Sequence, residues 1–210
     1  MTSLLKKWGG VTVLAALGLC VLAVGRGRGD DADDAKKMAD AQKAAPDVLK
    51  VVDAVEKGMK DEDLQKLGDS VAKKYGITPI MWQMKPRDKG GVGVGAKPGA
   101  VAQDSIELEL LQLGNIKKPI SPADLKAQKA DLVKMAQTSI AIARMTPNFA
   151  SDEGRKGQEI KDWNKFAEDQ RKGSQDLIDA INGGDPKKVA DVANRLNGTC
   201  NDCHTKFRDK

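Results

Sequence analysis

From residue 35 onward, apolar residues fall mostly at steps of three and four, the spacing of one face of an α-helix. Met38, Ala41, Ala45, Val48, Val52 and Val55 predict a helix over residues 35–57, ended by Gly58. Pro46 lies inside it and predicts either a kink or two helices. Asp61, Glu62 and Asp63 open a second helix, where negative charge suits the dipole, and Leu64, Leu67, Val71 and Tyr75 form its stripe up to Gly76. A third helix starts at Ser121-Pro122-Ala123-Asp124, with Ser as cap and Pro in the first turn. Its stripe is Leu125, Leu132, Met135, Ile140, Ile142 and Met145, and Thr146-Pro147-Asn148 ends it. A fourth is expected over residues 153–182, with Ile160, Trp163, Phe166, Leu177, Ile178 and Ile181 inward and Gly183-Gly184 as its stop. Asp185-Pro186 starts the last helix, whose inward stripe runs Val189, Val192, Leu196, Cys200, Cys203 and Phe207.

Between residues 77 and 103 the rhythm breaks. An apolar cluster (Ile80, Met81, Trp82, Met84) is followed by charged residues and then by Gly90-Gly91-Val92-Gly93-Val94-Gly95. A phosphate-cradling loop would need a strand before it and a helix directly after. Here a charged turn precedes and Lys97-Pro98-Gly99 follows, so a long loop is expected. Residues 104–114, with Ile106, Leu108, Leu110, Leu111 and Leu113, read as a short helix or else a strand. Residues 26–34, Gly-rich and then acidic, read as a flexible tether.

Composition sharpens the picture. Only 3% of residues are aromatic against 40% apolar, so the core is aliphatic, which favours helices packed side by side. A prosthetic group could supply the large planar apolar body that the aromatics do not. Residues 1–25 carry Lys6 and Lys7 before an apolar run from Val11 to Val24, with small residues at Ala23 and Gly25. They read as a cleaved export signal, with an uncleaved membrane tether through residues 8–25 as the alternative. Removing them lowers the formal net charge from +5 to +3. The remaining charge is spread along helices without interleaved aromatics, which argues against nucleic acid as a partner.

The last turns of the final helix hold the chemistry. Cys200-x-x-Cys203-His204 is the attachment signature of a c-type haem: two thiols for the two vinyl groups and an imidazole for the iron. On a helix at about 100° per residue, the two thiols and His204 share one face. A redox dithiol would more usually open a helix after a strand, and a zinc site would need a further ligand. The only other Cys or His is Cys20, inside the leader. Export agrees with haem, since c-type haem is attached outside the cytoplasm in bacteria. The periplasm is therefore the expected location.

Residues 121–208, with three helices in this order and Cys200-x-x-Cys203-His204 followed by Phe207-Arg208, resemble the cytochrome c-prime family, the class II c-type cytochromes. The resemblance implies an all-α four-helix bundle with haem c held covalently near the C-terminal end of the last helix. It implies His204 as proximal iron ligand and a basic residue, Arg208, close to the haem. It also implies a frequent homodimer. The departure is upstream. The family expects its first helix just before the second, whereas here 35–57 or 61–75 is separated from Ser121 by a long insertion. The expected organisation is thus an N-terminal helical region over 35–120, containing the loop 77–103, and a haem-bearing region over 121–210, together one domain.

His204 is the only histidine, so a second His cannot ligate the iron within one chain. The options are a Met thioether, which raises the reduction potential, an open site that, as in high-spin relatives, admits small gases, or less often a Lys. Met81 and Met84, beside the break in the helices, are the candidates for a sixth ligand. The expected function is one-electron transfer between redox partner proteins. The alternative is a high-spin protein binding a diatomic gas such as NO or CO. An enzyme such as a peroxidase is not expected, because no second histidine exists to act as its distal acid–base group.

Overall fold

The computed structural model describes residues 28–149 and 159–207. Among these the chain forms α1 (Arg28–Glu56), α2 (Asp61–Tyr75), α3 (Ile77–Met81), α4 (Ile106–Leu113), α5 (Pro122–Met145), α6 (Ile160–Gly183) and α7 (Pro186–Phe207), and no strand. The all-α expectation holds. The leader, residues 1–25, lies outside the described residues, and among those described no helix is long and apolar enough to cross a membrane.

Two readings change at the N-terminal end. The stretch expected to be a tether is helical from Arg28 onward. Its acidic residues fall in the first turns of a long helix, where they suit the dipole. Asp33 and Asp34 also pair with Lys37 one turn on. Pro46 neither splits nor ends the helix: α1 runs through it. Pro46 and Gln42 are both exposed, so the carbonyl that loses its amide partner faces water.

The helix starts and stops that local chemistry dictates are in place. Ser121 Oγ accepts from the Asp124 amide at 3.0 Å at the start of α5. Gly184, with φ of 71°, closes α6 in the left-handed conformation. Asp185 Oδ1 accepts from the amides of Lys187 (2.9 Å) and Lys188 (3.3 Å) to cap α7.

α5, α6 and α7 pack in series, and α1 and α2 lie against α5. Trp163 near the start of α6 donates to Thr146 O just past α5, and Lys129 near the start of α5 reaches Asn182 O at the end of α6. α5 and α6 are therefore antiparallel. Their interface buries a polar knot. Ser174 Oγ meets Ser139 Oγ at 2.9 Å, and Gln170 Nε2 donates to Ser139 at 3.2 Å. Among apolar neighbours such a knot fixes helix register, since any slip leaves buried polar groups unpaired.

The insertion is folded. Gln83, fully buried, donates through Nε2 to Ala41 O of α1 (2.9 Å) and to Pro79 O (2.8 Å). Arg87 pairs with Asp104 and donates to Gly95 O, which closes the glycine-rich stretch on itself. Gly90, at φ of 87°, lies so close to α1 that a Cβ would stand 2.8 Å from Met38 O. The stretch is thus packed against α1, with Gly95 beside Asp131 of α5. Residues 104–114, read as helix or strand, are helical over α4, capped by Ser105. α4 packs on α7.

Candidate functional site

α7 buries Val189, Val192, Ala193 and Leu196, and there the burial ends. Cys200, Cys203, His204 and Phe207 are only half-buried, whereas the sequence pattern placed the two cysteines and Phe207 in the core. α6 and α4 are the helices packed along α7. α4 has eight residues, and its last one is followed by Gly114, where a Cβ would sit 3.0 Å from the Asn194 backbone. From Gly114 back to Ile106 is eight residues, about 12 Å at about 1.5 Å per residue, a length that matches α7 from Asn194 to about Asp202. Further along α7, Lys206 meets Asp162 and Phe207 meets Trp163 and Phe166, all on α6.

The two thiols are not bonded to each other. Burial, then the Cys203 thiol and the Glu107 carboxylate, push the Cys200 pKa up to about 11. Burial raises Cys203 as well. Both lie in the last two turns of α7, at the negative end of the dipole, which disfavours a thiolate. A redox dithiol is activated in the opposite way, by a helix N-terminus or a nearby cation. Among the described residues no group of three or more His, Cys, Asp and Glu gathers to hold a bare metal ion. Haem attachment asks for something else: two thiols about one helical turn apart with an imidazole beside them, and α7 presents that set.

On the α6 side stands an aromatic group. The Phe207 ring meets Trp163 edge-to-face at 5.0 Å between centroids and Phe166 at 6.1 Å. Trp163 is fixed by its indole bond of 2.8 Å to Thr146 O. Three of the chain's seven aromatic residues therefore converge on the end of α7. Lys206 Nζ meets Asp162 at 2.5 Å, which holds that carboxylate below its usual range. On the α4 side, Lys85 Nζ meets Glu107 Oε2 at 2.8 Å. Ser105 Oγ donates to Met84 O at 3.1 Å, tying the insertion to the start of α4. Glu109, buried on the inner face of α4, accepts from the Gln103 amide at 2.9 Å, and burial holds its pKa above the ordinary carboxylate value.

Cys200, Cys203 and His204 thus share the end of α7. Met84 is buried in the core at 4% exposure and Met81 is half-buried against it. Arg208 lies outside the described residues. Trp163 and Phe166 were legible as inward-facing but not as neighbours of the motif. Glu107 and Lys85 carried no signal in the sequence. The residues present fit a covalent haem: unpaired half-buried thiols, an adjacent imidazole and an aromatic wall. No protein-family model, no curated protein and no solved structure matches this chain.

Proposed function

We propose that this chain is an exported c-type cytochrome that carries one electron at a time between redox proteins in the periplasm. The observation that carries the reading is Cys200-x-x-Cys203-His204 on one half-buried face of α7, beside the Trp163–Phe166–Phe207 group. Cys200 and Cys203 would hold the haem through thioethers, and His204 would give the iron its proximal nitrogen. When bound, the haem supplies reversible one-electron exchange at its iron. Trp163, Phe166 and Phe207, each half-buried, would offer it an apolar wall on the α6 side. The aliphatic core of α5, α6 and α7 keeps the helix that bears the motif rigid.

The architecture we infer is a cytochrome c-prime-like bundle of α1, α5, α6 and α7, with the insertion adding α4 along α7. Three pairings favour it, α1 on α5, α5 on α6 and α6 on α7, and the second neighbour of α7 is α4. For the sixth ligand we retain Met81 or Met84. Met81 is the more exposed of the two, and Met84 is linked through its carbonyl to the cap of α4. A visible spectrum of the haem-loaded protein, oxidised and reduced, with and without carbon monoxide, tests the function. A low-spin spectrum with a sulfur-to-iron band, indifferent to the gas, is expected and should vanish in Met81→Ala or Met84→Ala. A high-spin spectrum that shifts with carbon monoxide would replace electron transfer by gas binding.

A further inference from the structure

α4 is not among the three helices of the resemblance, yet it packs along α7 as α6 does. Its C-terminal end meets α7 at backbone level, where a Cβ on Gly114 would lie 3.0 Å from both Asn194 Cα and N. Seven residues back along α4 is Glu107; six residues on along α7 is Cys200. At about 1.5 Å per residue these are displacements of about 10 and 9 Å, so from this contact antiparallel axes would bring Glu107 level with Cys200. The effect of the Glu107 charge on the Cys200 thiol agrees. Two hydrogen bonds hold the start of α4 in place: the Ser105 cap on Leu108 N and the Ser105 bond to Met84 O. Lys85, next to Met84, is thereby set to meet Glu107 at 2.8 Å, with the two side chains 35% and 37% exposed.

We propose that the Lys85–Glu107 pair is a potential-setting device for a haem on Cys200 and Cys203. The proposal rests on the haem reading above. One electron taken up removes one unit of positive charge from the site. A carboxylate beside it opposes that uptake, and an ammonium favours it. Paired, the two charges nearly cancel; separated by mutation, each acts alone through a partly solvated medium and is screened by salt.

The test is a redox titration of the full chain with haem attached, at low and high salt, for wild type, Glu107→Gln and Lys85→Gln. Mass measured beforehand establishes that haem is present, and helical circular dichroism establishes that the variants fold. Glu107→Gln is expected to raise the midpoint potential and Lys85→Gln to lower it, with both shifts shrinking at high salt. Unchanged potentials in both variants would overturn the proposal. So would shifts of the same sign at either salt, because loosening α4 would act alike in both. A chain whose mass shows no haem overturns this proposal together with the haem reading.

Discussion

Gly114→Ala probes the contact that holds α4 against α7. The new Cβ would lie 3.0 Å from Asn194 Cα and N and 3.1 Å from Leu110 O. All three are backbone atoms, so no side chain can swing away and backbone must give by a few tenths of an ångström. The glycine's own backbone, φ −72° and ψ 1°, is open to alanine, so the penalty is steric. Overpacking of this kind costs about 1–3 kcal/mol, against which the stiffer unfolded chain returns about 0.4–1 kcal/mol. The expected net is a loss of about 1–2 kcal/mol. Gly183→Ala is the control: it ends α6 with nothing within 4 Å of the added carbon, so only the favourable contribution remains. Urea unfolding followed by helical circular dichroism reads both. With a slope of about 2 kcal/mol/M, Gly114→Ala should lower the midpoint by about 0.5–1 M at unchanged slope. If Gly114→Ala proves as stable as Gly183→Ala, α4 does not lie against α7 as described.

Other outcomes follow from single groups. Burial raises the Glu109 pKa in the folded state. Its contribution to stability is therefore full below the ordinary carboxylate pKa and is lost as pH rises through the raised one. Glu109→Gln should flatten that fall and be at least as stable at neutral pH; urea midpoints from pH 4 to 8 that keep the wild-type slope would refute it. Ser174→Ala leaves Ser139 short of a buried partner and should cost about 1–3 kcal/mol, measured by the same unfolding assay. Phe207→Ala removes the edge-to-face partner of Trp163 and should move that residue's fluorescence to longer wavelength as water reaches the ring.

What could be read from the sequence was local. Ser121, Gly184 and Asp185 mark helix ends because capping acts within about three residues. The stripe from Val189 to Leu196 is inward as its period requires. The motif is legible because attachment of a haem constrains consecutive residues on one turn. What could not be read depends on partners far along the chain. The half-exposure of Cys200 and Cys203 depends on how α4 and α6 pack along α7. The place of Glu107 follows from a side chain missing at Gly114. The continuity of α1 through Pro46 depends on which side of the helix meets water. Gln83, the polar residue between Trp82 and Met84, is the tie to Ala41 because the insertion folds onto α1.

The central claim is that Cys200 and Cys203 carry a haem. Its most direct test is the intact mass of the full chain expressed with a c-type haem attachment system, beside the double variant Cys200→Ser with Cys203→Ser. The account predicts a mass raised by one haem that survives denaturation and acid extraction, with the double variant carrying none. A wild-type chain at its bare polypeptide mass, with both thiols open to alkylation, would contradict it.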